Sequence, residues 1–115
     1  MSEAKLMDAA TFGELQETAG ADFVKELLDA FSDEAPGMLA ELRTAQAAND
    51  AVRFKRAAHS LKSNSQAFGA DRLAAQARAL ELGGLPSDAA SIDQTEALYL
   101  ETLAALLEAA HGRAL

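Results

Sequence analysis

Residues 50–69 read DAVRFKRAAHSLKSNSQAFG, and this stretch decides the fold of the chain. Its apolar side chains recur every three or four residues, a spacing that places them on one face of an α-helix. That face consists of Phe54, Ala58, Leu61, Ser65 and Phe68, with one small polar member. Asp50 is a suitable N-cap and Gly69 a suitable terminator, so the pattern predicts a helix over residues 51–68.

The other side of this predicted helix is polar and cationic, and it carries a histidine. Its members are Lys55, Arg56, His59, Lys62, Ser63 and Gln66. The imidazole of His59 is therefore expected to face water, with cations one turn before it and one turn after it. A neutral, exposed imidazole can act as a nucleophile and hold a phosphoryl group covalently. The alternative is a solvated helix face with incidental charges.

Amphipathic patterns predict four further helices and no strand. They cover about residues 8–18, 21–47, 71–82 and 89–111. We expect Asp8 to cap the first of them and a capping box of Ser91 and Gln94 to start the last. The glycine pair 83–84 is expected to end the helix before it.

The longest predicted helix, over residues 21–47, has an apolar stripe that keeps one phase. The stripe consists of Phe23, Leu27, Phe31, Ala35, Met38, Leu42 and Ala45. Pro36 lies inside this helix, and a proline removes a backbone hydrogen bond and clashes with the preceding turn. We therefore expect a kink or a restart near residues 33–36.

Short connections between amphipathic helices favour antiparallel neighbours. The pattern therefore predicts an all-α fold, an up-down-up-down antiparallel four-helix bundle with a short N-terminal helix that caps one end. A chain of 115 residues favours a single domain over residues 1–115.

Composition excludes several classes of protein and of site. There is no cysteine, so disulfides and thiolate metal sites are impossible. No apolar run approaches the ~18 residues of a membrane span, and the N-terminus lacks the apolar segment of a secretory signal, so we expect a cytoplasmic protein. The two histidines lie far apart in sequence and lack a nearby carboxylate cluster, which disfavours a metal site.

The charge is distributed unevenly along the chain. The formal net charge is −8, which argues against nucleic acid and anionic membranes as partners. Residues 51–80 nevertheless hold six cations against the single acid Asp71, a local balance of +5. An acidic chain has thus gathered its cations around His59, which indicates an acidic partner protein.

The stretch from His59 to Gly69 resembles the signature of the histidine phosphotransfer (HPt) domain. The matching residues are His59, Leu61, Lys62, Ser65, Phe68 and Gly69, followed by Leu73 and the pair Leu80-Glu81 on the next helix. Two positions depart from the family pattern. Ser63 stands where the family usually has glycine, and Asn64 replaces a usual serine or alanine. Serine is still small, so we expect function to survive, and partner preference is the property that these changes leave open.

The resemblance implies roles for individual residues. It makes His59 the phosphorylated residue, with Lys62 near the phosphate oxygens and Glu81 bonded to the ring nitrogen that is not phosphorylated. At Ser63 the family's small residue lets the partner approach. The shared helix face adds Lys55, Arg56 and Gln66 as expected partner contacts, with an ordinary surface or solubility role as the alternative for these three.

The resemblance also implies a phosphorelay intermediate without kinase activity of its own. The partners would be response-regulator receiver domains or a hybrid histidine kinase, and the chain would be a monomer. No cofactor is expected in the chain, because magnesium would enter with the receiver. A helical adaptor or inhibitor without chemistry, and a detached phosphoacceptor domain of a histidine kinase, are the alternatives.

Overall fold

The computed structural model describes residues 5–112 and contains five helices and no strand in that part of the chain. The helices are α1 Ala9–Ala19, α2 Ala21–Ala47, α3 Ala51–Ala67, α4 Asp71–Gly83 and α5 Ala90–Gly112. The all-helical class predicted from the sequence is confirmed, and every predicted boundary lies within one residue of the observed one.

Aspartate side chains cap three of the helices at their N-termini. Asp8 accepts a hydrogen bond from the amide of Ala10, and Asp50 accepts one from the amide of Arg53, both as predicted. The predicted capping box at Ser91 is wrong. Asp88 instead accepts from the amide of Ala90 at 2.9 Å. Because an aspartate three residues earlier already satisfies the first turn, Ser91 lies inside α5, and its buried hydroxyl has no hydrogen-bond partner among residues 5–112.

Helix α2 continues through Pro36, so the predicted restart near residues 33–36 does not occur. The predicted apolar stripe is correct at its centre and wrong at its start. Phe23 is 49% exposed, whereas its neighbour Val24 is fully buried. The remaining buried members are Leu28, Phe31, Ala35, Leu39, Leu42 and Ala45. The core therefore covers the flank of the stripe that holds Val24, and Leu27 and Met38 on the other flank are only partly buried.

Helix α2 contacts α1, α3 and α5, and helix α4 contacts α3 and α5. The ring of Phe31 on α2 lies 5.4 Å from the ring of Phe68 and 5.5 Å from that of Tyr99, measured between centroids. Such aromatic pairs contribute ~0.5–1.5 kcal/mol each beyond their buried area. All five residues of the predicted apolar face of α3 are buried. The side of α3 that carries His59 is therefore left to the solvent.

The segment before α1 is fastened to the turn between α3 and α4. The amide of Asp8 donates to the carbonyl of Gly69 at 2.7 Å, and the amide of Arg72 donates to the carbonyl of Lys5 at 2.8 Å. Gly69 has a φ of +72°, and a Cβ added there would lie 2.9 Å from the Cβ of Thr11. This position thus requires glycine for its backbone conformation and for the close approach of α1.

Candidate functional site

His59 lies on the exposed side of α3 and is hydrogen-bonded to Glu81 on α4. The two helices are joined by a short turn and fold back on each other, which brings these distant residues together. Nδ1 of His59 lies 2.7 Å from Oε2 of Glu81. The His59 side chain is 58% exposed, whereas that of Glu81 is only 11% exposed. An accessible imidazole is thus held by a carboxylate that is largely covered by protein.

Lys62 contacts the same carboxylate from the next turn of α3. Its Nζ lies 2.8 Å from Oε1 of Glu81, and its side chain is only 18% exposed. One oxygen of Glu81 therefore lies beside the ring nitrogen of His59, and the other lies beside the ammonium of Lys62. The ion pair with Lys62 and the hydrogen bond with His59 lower the pKa of Glu81, although burial acts in the opposite direction.

The carboxylate determines which tautomer of His59 is present. An ionised carboxylate can only accept hydrogen bonds, so Nδ1 of His59 must carry the hydrogen. In the neutral ring, Nε2 then has the free lone pair. Because the side chain is more than half exposed, this lone pair is accessible from the solvent. The arrangement can present one oriented nitrogen to a visiting reactant.

The ion pair between Lys62 and Glu81 was missed from the sequence, which placed Lys62 beside a phosphate group. The spacing of His59 and Lys62 could have indicated this ion pair. Lys62 follows His59 by three residues and so shares its helix face. Any carboxylate on α4 that reaches His59 is therefore also within reach of Lys62.

The other predicted site residues lie on the same exposed side of α3. Lys55, Arg56, Ser63 and Gln66 are all exposed, and within residues 5–112 neither Lys55 nor Arg56 makes an ion pair. The helix spacing places them one or two turns from His59. The structure thus gathers them around the imidazole but brings none of them to Glu81.

The two departures from the family pattern differ in their consequences. Ser63 is exposed one turn beyond His59, where it adds a hydroxymethyl group to the surface. The amide of Asn64 instead donates to the carbonyl of Ser60 at 2.8 Å. The Asn64 side chain therefore lies along its own helix. Of the two departures, Ser63 is the one on the exposed surface near His59.

In the part of the chain that the structure describes, no group of three or more histidine, aspartate or glutamate side chains is arranged to hold a metal ion. Over the same residues, no helix combines the length and the apolar character that crossing a membrane requires.

A family model described as "Hpt domain" matches residues 26–112, which is more than half of the chain. The chain belongs to the Hpt domain family. The resemblance found in the His59–Gly69 stretch is thereby confirmed. The matched range includes α3, α4 and α5 and most of α2, and α1 lies before it.

A curated relative is consistent with this Hpt assignment. The chain is 37% identical over 68 residues to the phosphorelay protein LuxU of Vibrio harveyi. The aligned residues are 59% of this chain and 60% of LuxU, so the chain spans about 60% of the length of that relative. No solved structure matched the chain.

Proposed function

We propose that this Hpt domain is a phosphorelay carrier that holds a phosphoryl group on Nε2 of His59 and passes it between aspartates of receiver domains. The observation that carries the proposal is the hydrogen bond between the exposed His59 and the largely covered Glu81. In this proposal the bond fixes the tautomer in which Nε2 is the nucleophile and leaves that nitrogen free to react with a partner.

The proposed transfer is a single displacement at phosphorus. Nε2 attacks the phosphorus of an aspartyl phosphate, the P–Nε2 bond forms, and the bond from phosphorus to the aspartyl oxygen breaks. The aspartate leaves as a carboxylate. Nδ1 keeps its hydrogen throughout, so the ring gains a positive charge that the carboxylate of Glu81 stabilises. In the second transfer, an aspartate oxygen of another receiver attacks the phosphorus and the P–Nε2 bond breaks, which leaves His59 neutral again.

Lys62 supplies a cation to the phosphoryl group in this proposal. Phosphoryl transfer depends mainly on positioning and on stabilising charge on the equatorial oxygens. Lys62 is one turn from His59, and its flexible side chain can turn from Glu81 toward oxygens on Nε2. The ammonium would then exchange one anionic partner for another.

The same proposal covers the architecture and the partners. The contacts of α2 with α3 and α5, and of α4 with α3 and α5, support an up-down-up-down four-helix bundle capped by α1. The prediction of a single domain over residues 1–115 is kept as part of the proposal, and its first four and last three residues lie outside the described part of the chain. Lys55, Arg56, Ser63 and Gln66 would contact a receiver domain, alone or within a hybrid histidine kinase. The chain would act as a cytoplasmic monomer without kinase activity or a cofactor of its own, and magnesium would be bound by the receiver.

The test is incubation of the chain with a panel of phosphorylated receiver domains, with His59→Gln as the matched control. We expect label on the wild-type chain that is acid-labile and alkali-stable, and none on the variant. Binding of a receiver without any transfer would indicate an adaptor or inhibitor instead. Label acquired only from ATP and a separate kinase domain would indicate the phosphoacceptor domain of a kinase.

A further inference from the structure

An open groove of about 390 Å³ lies between α2 and α3, beside the exposed histidine. Gly37 and Met38 contribute to it from α2, and Arg56, Ala57 and Ser60 contribute from α3. Ala57 is buried and Met38 is partly buried, so the groove has an apolar floor. Its residues from α3 include the immediate neighbour of His59 and a residue one turn before it.

The groove is widened by the missing side chain of Gly37. A Cβ added at Gly37 would have no neighbouring atom within 4 Å, so close packing of helices does not explain this glycine. Its φ does not fall in the left-handed region either. A glycine inside a helix costs stability relative to alanine. The consequence visible in the structure is a gap in the wall of the groove.

The charges at the rim are not equivalent. Arg53 binds Glu41 through two nitrogens, so these two charges satisfy each other across α2 and α3. Arg56 and Glu34, which also lines the groove, have no ion pair within residues 5–112. The charges around the groove therefore balance, and its apolar floor is complementary to an apolar side chain.

Any protein that brings an aspartyl phosphate to His59 must cover this groove. A specific interface buries ~800 Å² per partner, which as a disc extends roughly 16 Å from its centre. Ser60 and Arg56 lie within one helical turn of His59, and a turn rises only ~5.4 Å. An apolar depression inside an interface stabilises the complex when an apolar side chain fills it, and such pockets hold binding hot spots.

We infer that this groove receives an apolar side chain of the receiver domain that docks on His59, and that the gap at Gly37 helps to determine which receivers are accepted. The inference rests on the proposed phosphorelay function, and it adds a specificity determinant on α2, outside the helix that carries the histidine. Receivers with a large apolar side chain at the matching point are preferred over those with a small or polar one.

The experiment compares Gly37→Leu with Ala104→Leu, which places the same side chain at an exposed position of α5, a helix that does not contact α3. Gly37→Ala is the second control, because it changes the backbone preference and adds only a methyl group. For each variant, the rate of phosphorylation by a phosphorylated receiver is divided by the rate with phosphoramidate, a small donor that needs no docking surface. Melting curves establish that each variant is folded.

We expect Gly37→Leu to lower this ratio about ten-fold, Gly37→Ala to lower it less, and Ala104→Leu to leave it at the wild-type value. Equal ratios for Gly37→Leu and Ala104→Leu would overturn the inference. If Gly37→Leu does not fold, the decision rests on Gly37→Ala against the wild type. Failure of the proposed function has a different signature, since the wild-type chain would then take no phosphoryl group from any receiver.

Discussion

Glu81 serves two side chains at once. Its Oε2 lies beside Nδ1 of His59 and its Oε1 beside Nζ of Lys62. The carboxylate therefore orients the imidazole and also binds the Lys62 ammonium, which we propose stabilises the charge on the phosphoryl oxygens. Substitution of His59 changes the environment of Lys62 through Glu81, and the reverse also holds. The effects of single substitutions at these three residues should therefore not be additive.

Replacement of His59 by glutamine should abolish phosphorylation without unfolding the chain. The side chain lies off the buried face of α3, so its replacement leaves no cavity, and a glutamine amide can still donate to Glu81. We expect the free energy of unfolding to change by about 0.5 kcal/mol or less. Label transfer and thermal melting measure the two effects. A variant that still accepts label from a competent receiver would exclude His59 as the phosphorylated residue.

Replacement of Lys62 by alanine should slow transfer more than it weakens receiver binding. Its charge matters most while the phosphoryl group moves, so the loss should be in kcat rather than in KM, by roughly ten-fold or more. Single-turnover transfer at several receiver concentrations separates the two parameters. An unchanged kcat with a raised KM would assign Lys62 to docking alone.

Replacement of Glu81 by glutamine should destabilise the chain in a way that depends on pH. The folded protein lowers the pKa of Glu81 from its ordinary value of 4.5, because Lys62 and His59 favour the carboxylate. This stabilisation is complete above the ordinary pKa and is lost as the pH falls through the lower, folded pKa.

The variant should therefore be less stable than the wild type at pH ~7, with a deficit that shrinks toward pH ~3. Urea unfolding at a series of pH values measures it, and the exposed Glu101→Gln serves as a control for simple loss of a carboxyl group. A deficit that stays constant over this range would argue against the ion pair with Lys62.

The helices were predictable because caps, glycines and apolar spacing agree at nearly every boundary. The buried face of α2 was harder to predict. Two overlapping apolar faces of this helix both include Phe31, and one extends to Val24 whereas the other extends to Phe23. Only the placement of neighbouring helices decides which flank is covered. Likewise, the motif identified His59 and Glu81, whereas the groove at Gly37 required the position of α2 against α3. An absent side chain carries no signal about what lies beside it.

Replacement of Gly69 by alanine should destabilise the chain more than the same change at Gly84. Both glycines have a positive φ, which costs a non-glycine residue about 1–3 kcal/mol. At Gly69 the new Cβ would also meet Thr11 and the carbonyl of Asp8, whereas at Gly84 it would have no neighbour within 4 Å. Thermal melting of both variants measures the difference. Equal losses would show that α1 does not press against the turn.

The charges of the chain are divided between two regions. Residues 51–80 carry a balance of +5 within a protein of net charge −8, so the rest of the chain carries −13. In the proposed relay, an acidic receiver would be attracted to the region of residues 51–80 and repelled by the remainder, which would favour correct orientation during encounter.

Reversal of charge at Arg56 should lower the association rate with a receiver, with a smaller effect on dissociation. The effect should fade as salt rises, because exposed charges are screened over ~8 Å at physiological ionic strength. Lys25→Glu near the N-terminus of α2 changes the net charge equally and is the matched control. Stopped-flow association at several salt concentrations measures both variants. Equal rates for the two would show that location does not matter and only total charge does.

The two backbone hydrogen bonds that fasten residues 5–8 to the α3–α4 turn have a practical consequence for dissection of the chain. The family match begins at residue 26, so a fragment cut there would lose both bonds and the packing of α1 while keeping every residue of the phosphotransfer motif. In the intact chain, the amide hydrogens of Asp8 and Arg72 should exchange with solvent slowly and together, since one opening event releases both. The phosphotransfer motif and the segment that binds the turn at its end, residues 5–8, thus lie in separate parts of the sequence.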